Sequence, residues 1–502
     1  MKIPMKTSYI FFAAIAVTLY LTACNKFLDE EPISAKSSET FWETEKDGNS
    51  AVASMYALLR QGMNNGLFHY AHGDLPTDIF SSDRDLGGED FNYIQDADWS
   101  IAIPAASTWR VMMRNRRFDH FYSAIVQANN CLANLPRIPA ANFDTEYETS
   151  IRHFIGEAYF VRAFTYFYMA RVWGGVPIVS DQVSTGLDMT NYQRASAEDV
   201  LNKALEDALT AKSYLGWDNV STVDKHVRAN KGAALALLAH IYAWKADYAN
   251  CELAAKELMN SNYYSYASRT TYTDIFKGNS TEGIFEIAQN SSTEAAGGMI
   301  GSFTLKTPYL TTNTGNAIWP LDTLTLRQTL FTDRSDLRVQ HGFDFFDTGD
   351  PICLKYKNLS YTSSGTAVMP LYMSNIIVFR LSDIALLLAE AHAYQGEYSA
   401  ARDLLNRIRG LAGLGSSRVA NADLFEAVIN ERGKELFLEG HRFYDLVRLA
   451  KIKGVYRFGS GGSAKISSSE FQQGKYYWPI DPLLISNNPL FAQTAYWSSE
   501  MQ

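Results

Sequence analysis

Apolar residues recur at helical spacing along most of the chain. Thr44 and Asp47 have the spacing of a capping box and precede such a pattern, which predicts that a helix begins after Thr44. Ser196 and Asp199 predict a second helix start in the same way. Further helices are predicted over residues 116–135, 150–172, 228–245, 247–260, 380–395, 398–410, 423–439 and 441–450.

Two of these helical stretches are alike at a constant offset. Leu237-Leu238-Ala239 corresponds to Leu387-Leu388-Ala389, and Tyr248 corresponds to Tyr398. In both, a helix rich in Leu and Ala ends, a short turn follows, and the tyrosine begins a second Ala-rich helix. A third, looser copy begins near Gly156. Small residues where paired helices cross are typical of tetratricopeptide repeats, but long inserts separate the copies, so no regular solenoid is expected.

Two long inserts, 62–110 and 261–375, have a different character. They are rich in Gly, Asn, Ser, Thr, Asp and aromatic residues, and contain only short strand-like pieces such as Ile284–Ile287. The predicted fold is therefore mainly α: a tetratricopeptide-like helical scaffold with a large irregular, loop-rich region and short strands. Function is expected on the inserts, because binding residues concentrate on loops that a scaffold positions.

The N-terminus has the layout of a bacterial lipoprotein signal. Lys2 and Lys6 precede an apolar run from Tyr9 to Leu21, which is shorter than the ~20 residues that span a bilayer. Cys24 follows in the place of the usual small residue at the cleavage site. Residues 1–23 are therefore predicted to be a signal peptide, and Cys24 the lipidated first residue of a mature domain, 24–502, that begins with an exposed tether, 24–43. An ordinary signal peptide or a membrane anchor is the alternative.

Charge and cysteine content narrow the function. Without Lys2 and Lys6, 43 of the 45 basic residues remain against 54 acidic ones, a net charge of −11, which disfavours nucleic acid as a partner. Besides Cys24, three cysteines remain, an odd number that cannot form a complete disulfide framework, so each is expected to be a small buried hydrophobe. The arginines at positions 110, 114, 116 and 117 are close together in the sequence. The favoured interpretation is the solvated start of a helix, and the alternative is a site that binds an anionic glycan.

Templates for catalysis and metal binding are mostly absent. The sequence has no P-loop, nucleophile elbow or His-Glu-x-x-His motif. Glu431, Glu435 and Glu439 recur every fourth residue, which indicates an ion-pair network between helices, with Arg432, Lys434, Arg442 and Arg448 within reach, and not a glycosidase pair. No cofactor or metal is therefore expected.

An acidic loop is the one place where a metal remains an alternative. The loop contains Asp83, Asp85, Glu89 and Asp90, and oxygen-rich loops can bind calcium. Its spacing does not match the EF-hand pattern, so a solvated loop is the favoured interpretation.

The aromatic residues of the inserts are candidates for ligand binding. An aromatic ring stacks on the apolar face of a sugar or on peptide groups, and neighbouring polar side chains hydrogen-bond hydroxyl groups. The alternative is that these rings fill small cores within the inserts. The predicted ligand contacts are Trp99 and Trp109 first, then Tyr70 and Trp319, with Arg84 and Asn92 as polar neighbours.

Several motifs, in the same order, resemble those of the SusD/RagB family of outer-membrane lipoproteins of Bacteroidetes. The resemblance extends from the cleavage site to the last 30 residues. The motifs are Cys24-x-x-Phe27-Leu28-Asp29, Glu157-Ala158-x-Phe160-x-Arg162-Ala163, Trp173-Gly174-Gly175-Val176-Pro177, Phe379-Arg380-Leu381-Ser382-Asp383 with the helix to Ala391, and Glu431-Arg432-x-x-Glu435 continuing to Arg448.

The resemblance implies a surface lipoprotein that captures an oligosaccharide and delivers it to a SusC-like TonB-dependent outer-membrane barrel. It implies attachment to the outer membrane through lipid and no catalysis. The family has no shared ligand-binding motif in the inserts, so no site residue is carried over. Capture of an oligopeptide is the main alternative, and a surface glycosidase or a purely structural docking scaffold are others.

Overall fold

The computed structural model describes residues 41–64, 67–81, 89–104, 106–107, 109–179, 192–219, 221–289, 294, 300–364, 367–459 and 465–501. The predicted signal peptide, Cys24 and nearly all of the tether lie outside these residues. Phe41 and Trp42, the described end of the tether, are partly buried against the hydrophobic core. The prediction of an exposed tether is therefore wrong at these two residues, because their rings pack on the fold. No helix within the described ranges is long and apolar enough to cross a bilayer.

Helices dominate the described chain, and the long ones confirm the predicted pattern. Their ends lie within a few residues of the predicted ends, except that the helices expected from 116 and to 439 are shorter. The helices are α1 (Glu45–Asn64), α2 (Phe68–Gly73), α3 (Glu89–Gln95), α4 (Val111–Asn115), α5 (Tyr122–Asn134), α6 (Tyr147–Trp173), α7 (Ala197–Tyr214), α8 (Lys231–Trp244), α9 (Tyr248–Asn260), α10 (Ile300–Thr304), α11 (Leu337–Gly342), α12 (Leu381–Gln395), α13 (Tyr398–Leu411), α14 (Leu424–Glu435), α15 (Arg442–Lys453), α16 (Ser468–Gln472), α17 (Pro482–Asn487) and α18 (Trp497–Glu500).

Both predicted capping residues begin their helices. The Thr44 amide donates to Asp47 Oδ2 at 2.9 Å, and the Asp47 amide donates to Thr44 Oγ1 at 3.3 Å, so both halves of the capping box are formed. At α7 the Asp199 amide donates to Ser196 Oγ at 3.1 Å. These side chains satisfy backbone donors that a helix leaves unpaired at its first turn.

The two similar stretches are two helical hairpins, α8–α9 and α12–α13, and they pack on each other through α9 and α12. Ala236 and Ala389 have no exposed surface, which fits small residues at close helix crossings. Tyr248, the first residue of α9, lies 4.5 Å from the ring of Tyr394 on α12. The tetratricopeptide-like scaffold is therefore confirmed.

In the described residues, three antiparallel strand pairs form within the second insert and the strand that directly follows it. They are β1 (Gly283–Ile287) with β6 (Ile376–Arg380), β2 (Phe343–Asp344) with β3 (Ile352–Cys353), and β4 (Leu359–Ser364) with β5 (Ala367–Tyr372). The strand predicted at 284–287 is β1, and its Glu286 pairs with Ile377 of β6. The inserts differ from the prediction in also containing short helices, α2 and α3 in the first and α10 and α11 in the second.

Glu435 lies at the centre of a buried ion network, which confirms the structural interpretation of the three glutamates. Its Oε1 accepts from Arg269 Nη2 at 2.6 Å and from Arg380 Nη1 at 2.8 Å, and its Oε2 accepts from Arg338 Nη1 at 3.0 Å. All four side chains have at most 1% exposure. Burial alone would raise the pKa of Glu435, but Arg269, Arg380 and Arg338 lower it well below its usual range. The carboxylate thus joins α14 to three separate segments of the chain.

The partners of the glutamates differ from those expected. Glu439 pairs with Arg380 at 2.7 Å and with Lys355 at 2.5 Å, while Glu431 pairs with Arg338 at 2.7 Å. Of the four basic residues expected nearby, Lys434 reaches Glu431 at 3.6 Å. Arg432, Arg442 and Arg448 instead bind carboxylates elsewhere: Asp383 and Asp445, Asp78, and Glu390 with Asp445, respectively. Spacing along one helix could not indicate partners that distant segments bring in.

Candidate functional site

Trp99, the first predicted ligand contact, is a core residue. Its indole has no exposed surface and stacks on the indole of Trp478, with 4.4 Å between ring centroids and 10° between planes. Its Nε1 donates to the Ile94 carbonyl at 2.9 Å. A ring without an exposed face cannot stack on a ligand in this conformation, so the assignment of Trp99 to the site is corrected.

Tyr70 and Trp319 are corrected for the same reason. Tyr70 is 3% exposed and packs edge-on against Tyr356, with 5.5 Å between centroids. Trp319 has no exposed surface, and its ring centroid lies within 6 Å of the ring centroids of Phe80, Phe91 and Phe303. The inserts are long enough to need cores of their own, and these large rings fill them.

Trp109 is the predicted ring that faces solvent. Its side chain is 70% exposed, and it lies two residues before α4. The next residue, Arg110, donates from Nε to Asp90 Oδ1 at 2.9 Å, and the Met112 amide donates to Asp90 Oδ2 at 3.2 Å. Asp90 thereby ties the start of α4 to α3, so the exposed indole is next to a fixed point of the fold.

Of the two polar residues predicted to contact the ligand, the structure describes Asn92 but not Arg84. Asn92 lies on α3, two residues after Asp90, and is half-buried. Arg84 lies outside the described residues, as do Asp83 and Asp85 of the acidic loop. The carboxylate of Asp90 is committed to Arg110 and to the Met112 amide.

A cavity of about 390 Å³ is lined in part by residues on either side of Trp109 in the sequence. Its walls come from residues 100–103, from Met113 and Arg116, and from residues 481–483 and 500–501 near the C-terminus. Trp109 lies between Ile103 and Met113, which both line the cavity. Met113 is four positions after Trp109, so their Cα atoms are at most about 14 Å apart.

Three charged side chains line the cavity: the buried Arg116 and the carboxylates of Asp481 and Glu500. Arg116 is 1% exposed and donates from Nη2 to the Ile101 carbonyl at 2.8 Å, while its Nε is without a hydrogen-bond partner among the described residues. Burial lowers the pKa of Arg116 to about 10 and raises the pKa of Asp481. With Glu500, which also lines it, the cavity presents guanidinium and carboxylate groups within a few residues of the exposed indole of Trp109 in the sequence. This combination suits a ligand that bears both an apolar face and hydroxyl groups.

Three of the four arginines in the run are paired or buried. Arg110 pairs with Asp90, Arg117 pairs with Asp119 at 2.6 Å, and Arg116 is buried.

The cavity residues near the C-terminus were not predicted from the sequence. Asp481 and Glu500 carry no motif, and only tertiary packing brings them to the first insert.

Cys131, Cys251 and Cys353 are all free and buried, which confirms their expected role. Among the described residues, one buried group with metal-binding side chains is His240, Asp383 and His441. His240 Nε2 is 2.8 Å from Asp383 Oδ2, and Arg432 Nη2 is 2.9 Å from the other carboxylate oxygen. Because a guanidinium already neutralises Asp383, we interpret this group as part of the structural ion network.

Comparison with known proteins places the chain in a family. One family model, described as the SusD family, matches residues 351–497, and another, described as "Starch-binding associating with outer membrane", matches residues 26–243. Neither description is that of an enzyme.

Relatives and solved structures agree over nearly the full length. A SusD-like protein of Formosa agariphila is 26% identical, with 94% of this chain and 95% of the relative covered. The crystal structure of a SusD homologue from Bacteroides thetaiotaomicron superposes with a TM-score of 0.77 at 26% identity, over 91% of this chain and 99% of that one. A SusD superfamily protein of the same species has a TM-score of 0.73 at 24% identity, with the same coverage. The chain therefore belongs to the SusD/RagB family.

Proposed function

We propose that this protein is a cell-surface lipoprotein that binds a glycan and delivers it to a SusC-like TonB-dependent transporter of the outer membrane. The observation that carries the proposal is the exposed indole of Trp109, which is four positions along the chain from Met113, a residue of a cavity lined by guanidinium and carboxylate groups. A sugar ring presents an apolar face to an aromatic ring and hydroxyl groups at its edge. The family description of starch binding supports the same ligand class.

The proposed attachment to the membrane is through lipid on Cys24. The Leu21-Thr22-Ala23-Cys24 sequence supports it, and Asp29, Glu30 and Glu31 follow as acids that resemble a surface-export signal of Bacteroidetes. Several acyl chains on one cysteine hold a protein stably at a membrane, where a single chain binds weakly. The protein would then face the exterior and meet its transporter in the plane of the membrane.

A binding panel tests the ligand class. The purified protein is titrated by calorimetry with neutral and acidic oligosaccharides and with oligopeptides of similar length, and each ligand is analysed for cleavage afterwards. We expect binding of at least one oligosaccharide, no binding of the peptides and no cleavage. Binding of peptides alone would overturn the glycan assignment, and cleavage of a bound oligosaccharide would overturn the proposal of a binding protein.

Affinity purification of the tagged lipoprotein from outer membranes tests the partner. We expect a TonB-dependent barrel in stoichiometric amount. Recovery of the lipoprotein without any barrel, under detergent conditions that preserve other membrane complexes, would contradict delivery to a transporter.

A further inference from the structure

A second cleft, of about 380 Å³, shares no described lining residue with the cavity near Trp109. Four segments meet there, around Gly174, Arg194, Tyr477 and Thr494. The approach is close, because a Cβ atom on Gly175 would lie 2.0 Å from the Ala195 carbonyl oxygen. Glycine at this position allows the segment after α6 to contact the segment before α7.

Arg194 gives the cleft a cation without an ion-pair partner. Its Nε, Nη1 and Nη2 atoms donate to the carbonyls of Gly175, Ala492 and Trp173, at 2.5, 3.1 and 2.8 Å. A guanidinium has five N–H donors, so two remain. Within the described ranges, no carboxylate lies within ion-pairing distance of Arg194. The guanidinium is partly buried, and this burial lowers its pKa to about 10.

The N-terminus of α7 adds to the positive potential of the same cleft. Ser196 and Ala197, at the start of this 18-residue helix, line the cleft. The two acids of the first turn both have partners: Glu198 pairs with Lys245 at 2.5 Å, and Asp199 accepts from Ser196 Oγ at 2.6 Å. The partial positive charge of a helix N-terminus favours an anion.

Thr494 and two tyrosines supply the remaining features of a binding site. Thr494 is 8% exposed, lines the cleft, and its hydroxyl has no hydrogen-bond partner among the described residues. Buried hydroxyl groups in folded proteins are nearly always paired, so this hydroxyl is a suitable hydrogen-bonding group for a ligand in the cleft. Tyr476 and Tyr477 are half-buried beside it, with 4.4 Å between ring centroids, and offer aromatic surface.

We propose that this cleft is a second ligand site, which binds the carboxylate or sulfate group of an acidic sugar unit through Arg194, Thr494 and the N-terminus of α7, with its ring against Tyr476 or Tyr477. The inference rests on the proposed function only in taking the ligand to be a saccharide. Gln472 and Gln473 are exposed at the rim, where their amides are available to hydroxyl groups.

Saturation-transfer NMR and calorimetry with glucuronic acid, inorganic sulfate and glucose test the site. We expect glucuronic acid, sulfate or both to bind at least tenfold more tightly than glucose, and salt to weaken that binding. Preference for glucuronic acid identifies a carboxylated ligand, and preference for sulfate identifies a sulfated one. Equal affinity for glucose and both anions, or binding of none of the three, would overturn the proposal.

Three variants locate the binding. Thr494→Val removes the hydroxyl at nearly constant volume and is expected to weaken anion binding about fivefold, whereas Thr494→Ser retains the hydroxyl and is expected to stay within twofold of the wild type. Arg194→Gln is expected to weaken anion binding at least tenfold and to remove its salt dependence. Unchanged anion affinity in both Thr494→Val and Arg194→Gln would contradict the assignment.

Trp109→Ala separates this inference from the proposed function. It removes the ring of the first site and leaves the cleft intact, so anion binding is expected to be unchanged. Loss of anion binding in Trp109→Ala would place the anion at the first site and overturn the second one. Failure of every neutral glycan to bind the wild type, with anion binding retained, would instead count against the function proposed for the Trp109 surface.

Discussion

The indole of Trp99 lies flat on the indole of Trp478, with 4.4 Å between centroids. This contact joins the first insert to the C-terminal segment. Ser100 and Asp481, which follow the two tryptophans closely in sequence, both line the candidate glycan cavity. The stacked pair therefore holds together the two segments that line the cavity, and Trp99 supports the site as a core residue.

Trp99→Ala should destabilise the fold. Removing a fully buried indole leaves a cavity, and such changes cost about 3–5 kcal/mol in the free energy of unfolding. Denaturant unfolding of the wild type, Trp99→Ala, Trp478→Ala and the double variant measures the effect. The double variant should lose less than the sum of the single ones, because both remove the same contact. An unchanged unfolding midpoint in Trp99→Ala would show that the ring is not part of the core.

Glu435→Ala should lower the free energy of unfolding, because it removes a buried negative charge that three arginines share. It would leave Arg269, Arg338 and Arg380 buried without their shared carboxylate, and breaking a buried ion pair costs about 3–5 kcal/mol. Glu206→Ala is the matched control, because Glu206 pairs with Lys203 while its side chain is 70% exposed, and the expected change is below about 0.5 kcal/mol. Equal thermal stability of the two variants would contradict the central role of Glu435 in the buried ion network.

Glu286 should make stability depend on pH. Burial raises its pKa from 4.5 to about 7, and the hydrogen bonds from Asn375 and Asn279 oppose this only in part. Between these two values the folded protein holds a proton that the unfolded chain has lost. The stabilisation is therefore present at low pH and is lost as the pH rises through about 7, by up to about 1.4 kcal/mol per pH unit for one group.

Glu286→Gln provides the comparison for this effect. The glutamine is neutral at every pH, so the free energy of unfolding of the variant should fall less between pH 5 and pH 8 than that of the wild type. Parallel pH profiles for the two proteins would show that the Glu286 carboxylate does not change its proton occupancy on folding.

The helical scaffold could be predicted from the sequence because its signals are local. Apolar spacing and the capping residues Thr44 and Ser196 act within one or two turns of helix, so neighbouring residues contain the necessary information. The candidate site could be predicted only in part. Trp99 and Trp109 are alike in type and in polar surroundings, yet one is fully buried and the other 70% exposed. What separates them is Trp478, a residue far along the chain, and no local pattern records that contact.

Cys24→Ala should release the protein from the membrane. Without the thiol there is no acceptor for the diacylglycerol, so the variant should appear in the soluble fraction and should incorporate no radiolabelled fatty acid. Cys131→Ala is a suitable control, because Cys131 is buried in the fold and should leave lipidation unchanged. Fatty-acid incorporation in Cys24→Ala would show that another residue carries the lipid.

The central claim is tested most directly by titrating the Trp109→Ala variant with an oligosaccharide that the wild-type protein binds. Tyr394→Ala is the matched control, since Tyr394 is an aromatic residue that is 49% exposed on the helical scaffold and belongs to neither insert in the sequence. Stacking on one exposed ring predicts about a tenfold loss of affinity in Trp109→Ala, equivalent to about 1.4 kcal/mol, with an unchanged melting temperature and with Tyr394→Ala binding as the wild type does. Equal affinity of Trp109→Ala and the wild type for every oligosaccharide would contradict the account.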